Sequence, residues 1–146
     1  MIHLIIGFFI NSIHAEKKRL PRGRIDISST PKITGVMKKK VNTPKFKEAL
    51  SITFEFITRY EPNVGVITIV GELLYVGKNM EQALKMWKSE SKLPQDIDIE
   101  VKNFLLRRCF TVGLFISETM QLPPPFMFPQ IRPKKEVDED KMRYIG

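Results

Sequence analysis

IDIEVKNFLLRRCFTVGLFISETM (residues 97–120), running into QLPPPFMFPQ (residues 121–130), decides the fold of this chain. Ile97, Val101, Phe104, Leu105, Val112, Phe115, Ile116 and Thr119 fall on one stripe of a helix, and Ile99, Leu106, Phe110 and Leu114 on a second. Two stripes cover more of the circumference than a single sheet can hide. The helix is therefore expected to be buried by something besides its own sheet, and an oligomer interface through Leu106, Phe110 and Leu114 is the natural second partner. Gly113 costs a helix interior about 1 kcal/mol relative to alanine, which close packing at that point would offset. Pro123, Pro124 and Pro125 end the helix and continue as an extended segment. From it Phe126, Phe128 and Ile131 are placed to pack back onto the sheet.

Upstream, residues 49–60 alternate Leu50, Ile52, Phe54 and Phe56 with Ser51, Thr53 and Glu55, the period-two pattern of a strand with one dry face. Glu61-Pro62-Asn63 reads as a turn, with Gly65 free to take unusual backbone angles. Residues 64–76 then form the return strand of an antiparallel hairpin. Ile67, Ile69, Leu73 and Tyr75 lie on one of its faces and Val66, Val70, Leu74 and Val76 on the other, so it is expected in mid-sheet with both faces covered. A short helix follows at residues 80–90, capped by Asn79, with Met80, Leu84 and the chain's only tryptophan, Trp87, on one face. Leu93-Pro94-Gln95 breaks it, and Asp96 or Asp98 would cap the long helix.

Nearer the start, residues 4–18 read as a first strand, residues 24–29 as a short second one interrupted at Pro31, and residues 32–41 as a third. Residues 1–15 admit two other readings, a targeting segment cut after Ala15 or a mis-assigned start. The strand is preferred because the run is β-branched and aromatic, no Lys or Arg precedes it, and it is too short to span a bilayer. Strands first and helices last give an α+β fold: an antiparallel β-meander of about four strands with two C-terminal helices packed on one face. One domain over residues 1–131 holds these elements, and residues 132–146 form a charged, mobile tail.

Little in the chain carries reaction chemistry. His3 and His14 both precede the first turn, far in sequence from Cys109, and no phosphate loop, dinucleotide fingerprint, zinc spacing or nucleophile elbow appears. Asp96, Asp98 and Glu100 are explained by the start of a helix. Cys109, the single cysteine, excludes an intramolecular disulfide and a four-thiolate metal site, and it favours a reducing compartment such as the cytoplasm. Its apolar mid-helix setting makes it a small core residue. The chain reads as a non-enzyme with no cofactor and no metal.

The net charge of +8 favours anionic surroundings. Lys17, Lys18, Arg19, Arg22 and Arg24 surround the first turn, and Lys38, Lys39, Lys40, Lys45 and Lys47 the second. Were both turns at one end of the sheet, they would form a cationic rim for phosphates. The plainer reading is a solvated loop surface, and the aromatics fall mostly on core parity, which argues against base stacking.

The order of elements resembles that of the SecB-type preprotein-binding chaperones. Arg108-Cys109 in a mostly apolar helix, then Met120-Gln121-Leu122-Pro123-Pro124-Pro125, is similar to that family's last helix and the Gly-x-x-Pro-x-Leu region after it. Ile10-Asn11-Ser12-Ile13-His14-Ala15-Glu16-Lys17 resembles its first long strand, and the likeness is greatest to an uncharacterised, archaeal SecB-like branch. Two departures stand out. The family is typically acidic and offers an acidic face to a translocation motor, whereas this chain is strongly basic, and Met120-Gln121 stands where the family has a glycine. The resemblance implies an ATP-independent holdase that binds unfolded or nascent polypeptides through apolar grooves, as a homodimer or homotetramer with no membrane span. Ile52, Phe54, Phe56, Ile67, Ile69 and Tyr75 would line the groove, with Phe126 and Phe128 as its wall; the alternative is that they are simply the monomer's core. Two other functions fit the same residues. One is a small basic protein on RNA or a ribosome, with Lys17, Lys18, Arg19, Lys38, Lys39 and Lys40 on the phosphates. The other is a structural subunit of a larger assembly.

Overall fold

In the computed structural model, which describes residues 4–133, four strands precede two helices. They are β1 (Leu4–Lys17), β2 (Asp26–Lys40), β3 (Glu48–Glu61), β4 (Gly65–Val76), α1 (Met80–Glu90) and α2 (Gln95–Met120). The fold is α+β as expected, with one antiparallel sheet in the order β1-β4-β3-β2. The meander proper is β2-β3-β4. β1 pairs with the far side of β4, from Leu4↔Val76 to Lys17↔Gly65, which puts β4 in mid-sheet as its two apolar faces require.

The β3–β4 hairpin builds the core. Leu50, Ile52, Phe54 and Phe56 of β3 share one face with Ile67, Ile69, Leu73 and Tyr75 of β4, and none is more than 1% exposed. Ala83 of α1, Leu93 of the inter-helix connection, and Ile97, Val101, Leu105 and Cys109 of α2 close over that face. The opposite face keeps Val66, Val70 and Leu74 only half-buried, so within this chain the helices cover one face of β4. Neighbouring strands shield these residues, and among the described residues neither helix lies over them. Two glycines set the spacing. A Cβ at Gly71 would strike the Phe9 carbonyl and the Phe54 ring, and one at Gly65 would come within 2.5 Å of the Glu16 carbonyl. Gly65 is therefore required by the close approach of β1, while the left-handed backbone of that turn falls on Asn63 (φ 54°).

Three local expectations are corrected. The two short strands around Pro31 are one continuous β2, because β2 is an edge strand and proline's missing N–H can face outward there. The irregularity appears instead as a register shift between Ile33 and Gly35. Asn79 precedes α1 in the left-handed conformation (φ 64°) and caps with its backbone carbonyl, which accepts from Ala83 N–H at 2.9 Å, rather than with its side chain. The long helix starts one turn earlier than a cap at Asp98 would allow. Pro94 is its N-cap residue, and Asp96 and Asp98 sit in the first turn, where a carboxylate still complements the helix dipole. His3 and residues 134–146 of the expected tail lie outside the described residues.

The buried polar groups are nearly all paired. Ser29 and Thr58 share a hydroxyl hydrogen bond at 2.8 Å, Ser51 donates to Glu72, and Ser117 donates to the Leu114 carbonyl at 2.8 Å. The Tyr60 hydroxyl is buried without a partner among the described residues. Burial pushes its pKa up to about 12, pushes Tyr75 to about 12 with help from Glu100 and Asp96, and pushes the Cys109 thiol to about 12. Each group holds its proton more tightly folded than unfolded. The associated stability is complete below about pH 9 and is lost as pH rises from there through about 12. Urea unfolding at stepped alkaline pH should show that decline. Tyr60→Phe should be as stable as the parent or about 1 kcal/mol more stable at neutral pH, since it removes an unpaired buried hydroxyl. Its alkaline decline should be shallower.

Candidate polypeptide-binding surface

The buried line on α2 is Ile97, Val101, Leu105, Cys109, Gly113 and Ser117, a strict spacing of four. At about 100° per residue, each step of four advances the line by roughly 40° around the helix. A line that winds this way cannot face a single sheet along its whole length. Its first half meets the sheet, and its second half is covered by the chain's own continuation. Gln121 turns left-handed (φ 57°), Leu122 N–H bonds the Ser117 carbonyl at 2.9 Å, and the segment then runs back along α2. Leu122 and Pro125 are buried, and Pro125 lies beside Gly113.

This return forms an aromatic path from the core to solvent. Phe56 meets Phe110 edge-on at 5.6 Å, Phe110 meets Phe126 at 5.5 Å, and Phe126 meets Phe128 at 4.9 Å. Phe56 is sealed in the core, Phe110 and Phe126 are half-buried, Phe128 is 45% exposed and Met127 86%. Leu106 and Leu114 stand one turn to either side of Phe110, also half-buried. A second path ties down β1: Phe8 stacks on Phe54 and meets Phe104 at 5.6 Å, with the Arg108 guanidinium 4.7 Å above the Phe8 ring. Nothing in the spacing of Arg108 announces that contact, because it depends on β1 crossing to β4.

Several expected site residues lie elsewhere than a groove requires. Ile52, Phe54, Phe56, Ile67, Ile69 and Tyr75 are interior, closed over by both helices, so in this arrangement no client reaches them. Phe126 and Phe128 do stand at the surface, and the structure joins them to Phe110 of the second stripe. Part of that stripe's excess apolar area is thus covered within the chain by residues 122–126. Phe115, expected on the buried stripe, is 74% exposed, since the winding line has left its side of the helix by that turn.

The two basic clusters do not form one rim. The 17–24 connection precedes β2 and the 41–47 connection follows it, so they lie at opposite ends of the sheet. The 15 residues of β2, at about 3.3 Å each, separate them by roughly 50 Å. Several cations are also engaged. Arg19 donates to the Pro62 carbonyl at 2.7 Å, Lys38 bridges Glu48 and Glu81, and Lys39 sits 3.2 Å from Glu72. The Ser51 hydroxyl and then Lys39 hold the Glu72 carboxyl below its usual range.

The sheet's edges differ sharply. β2 carries Pro31, Lys32, Lys38, Lys39 and Lys40 along its length, which block strand addition, while register shifts interrupt both edges, one in β2 and two in β1. β1 has no charged residue from Leu4 to Ile13, and its Phe9 and Ile13 are about half exposed, at 49% and 48%. Among the described residues no His, Cys, Asp or Glu cluster could hold a metal, and no helix is long and apolar enough to cross a membrane.

No protein-family model and no curated protein matches this chain by sequence. Among solved structures, the fold is similar to that of the Mycobacterium tuberculosis SecB-like chaperone Rv1957, solved in complex with a ChAD peptide from the Rv1956 HigA1 antitoxin. The match covers 88% of this chain and 90% of that one with a TM-score of 0.56 and 11% identity. The fold is therefore SecB-like, and at that identity the likeness is one of fold alone.

A Cβ at Gly113 would sit 3.8 Å from the Pro125 ring, an ordinary contact. The close packing expected to require glycine there leaves room for a methyl group. Gly113→Ala should accordingly stabilise the chain by about 0.5–1 kcal/mol in urea unfolding, through helix propensity and a stiffer unfolded chain.

Proposed function

We propose that this chain is an ATP-independent holdase that binds apolar stretches of unfolded or nascent polypeptides and works in the cytoplasm as a homo-oligomer. The observation that carries the reading is the aromatic path that begins in a sealed core at Phe56 and ends in solvent at Phe128 and Met127. A structural path would end inside; this one presents apolar side chains to water on a segment of mostly proline and large apolar residues. The SecB-like fold supports it, because a neighbour of that fold was solved holding a peptide. A client side chain buried against Phe126 and Phe128, with Leu106 and Leu114 alongside, would contribute about 1.5–3 kcal/mol for each large apolar group. No catalytic group, cofactor or nucleotide enters this mechanism.

Self-association is assigned to β1. An edge strand that is half-exposed and uncharged from Leu4 to Ile13 is a template for another strand, and a second copy of β1 fits it by symmetry. That pairing would cover Phe9 and Ile13. RNA binding is the weaker reading, since the cations fall into two separated groups and several are already paired.

Equimolar protein should suppress light scattering from a chemically denatured substrate, and should still do so at about 0.5 M NaCl, where phosphate binding would collapse. Met127→Ser with Phe128→Ser should reduce the suppression while leaving the unfolding midpoint unchanged. Absence of suppression by the parent chain would remove the holdase reading in favour of a structural subunit. Native mass spectrometry gives a separate check on β1. Phe9→Lys with Ile13→Lys should shift the parent oligomer to monomer, because charges along an edge oppose strand addition. A parent chain that is already monomeric would contradict that assignment.

A further inference from the structure

We propose that this chain selects clients in which carboxylates lie close to an apolar stretch, and that a basic groove between β2, α1 and α2 makes the selection. The inference rests on the holdase reading and names the client class for it. The groove is open, with a volume of about 510 Å³. Ile33, Trp87 and Leu93 give it an apolar floor, and Lys32, Lys92 and Lys102 rim it. Asp98 is the one carboxylate among the described residues of the lining, and Lys102 holds it at 3.1 Å. Lys32 and Lys92 are exposed and make no ion pair among the described residues. Glu55 is the cross-strand neighbour of Lys32, yet the two are not bridged. Two unneutralised cations over an apolar floor complement carboxylates. The same cations repel a client that brings lysines to that place.

The groove continues the surface on which Phe126 and Phe128 stand. Lys102, Leu106 and Phe110 follow one another at single turns of α2, and Phe110 meets Phe126. Pro31, also in the lining, is the cross-strand partner of Phe56, on which Phe110 packs. From Phe110 to Lys102 the helix rises about 12 Å, and from Phe110 to its start at Gln95 about 22 Å. An extended client advances about 3.3 Å per residue. With a large apolar side chain seated on Phe126, client residues about four to seven places away therefore lie over the groove. Pro31 and the lysines of β2 oppose strand addition, so side-chain contacts rather than backbone pairing carry the selection. The other basic clusters offer no comparable seat, because Arg19, Lys38 and Lys39 are engaged within the fold.

Three synthetic peptides test this on the full-length chain. Each has two leucines, a Gly-Ser spacer of about four residues, and then three glutamates, three glutamines or three lysines. Fluorescence anisotropy at low salt should show the glutamate peptide binding about five-fold more tightly than the glutamine peptide, with the lysine peptide weakest. In about 0.5 M NaCl the three affinities should converge, because screening removes the ion pairs and spares the apolar contact. Trp87 is the only tryptophan, so its emission should respond to the glutamate peptide more than to a peptide ending at the spacer. Combining Lys32→Glu with Lys92→Glu should reverse the order, so that the lysine peptide binds best, an outcome that loss of structure cannot give. Equal binding of all three peptides at low salt would overturn the proposal and leave the holdase reading standing. A glutamate preference that survives Lys32→Glu with Lys92→Glu would overturn it as well. Binding of none of them would overturn both.

Discussion

The packing of α2 onto the apolar face of the β3–β4 hairpin is the contact on which the other features rest. Leu50, Ile52, Phe54 and Phe56 on one strand and Ile67, Ile69, Leu73 and Tyr75 on the other present a flat apolar surface. Ile97, Val101, Leu105 and Cys109 descend onto it. Side chains of that size, fully withdrawn from water, each contribute about 1.5–3 kcal/mol, and no polar network among the described residues matches them together. Gly71 lets β1 and the Phe54 ring crowd close to β4, so β1 joins the same sheet and adds Phe8 to the pile.

The geometry of that helix decides what remains exposed. A buried line spaced by four winds off the sheet, so α2 carries more apolar surface than the hairpin alone can cover. The chain returns along its own helix to cover Gly113, Ser117 and part of Phe110, and it stops short of covering Phe115, Met127 and Phe128. The apolar surplus is therefore a consequence of helix pitch and of where the proline-rich return ends. A similar asymmetry marks the sheet, where lysines and a proline guard β2 and an uncharged run leaves β1 open.

Much of the architecture was legible because it rests on periodicity. The alternation in residues 49–60 and 64–76 announced the hairpin, and the two apolar faces of β4 announced a mid-sheet position. Residues 80–90 and the long final helix followed from their spacing. The neighbour of β4 was not legible, since pairing between strands far apart in sequence leaves no local mark. The reading of Pro31 as an interruption failed for the same reason, as only its edge position makes it tolerable within β2. Placing the site required the third dimension. Ile52 and Phe128 look alike in a sequence, and only the path of the return segment seals one and exposes the other. The cationic rim likewise dissolved once the length of β2 stood between its halves.

A photoreactive benzoylphenylalanine placed at Met127 of the full-length chain, with a second placed at Arg22 as a remote exposed control, tests the central claim most directly. In the presence of an unfolded polypeptide, cross-linking should occur from position 127 and be nearly absent from position 22. Equal cross-linking from both positions, or none from 127 while the chain remains folded, would contradict the account.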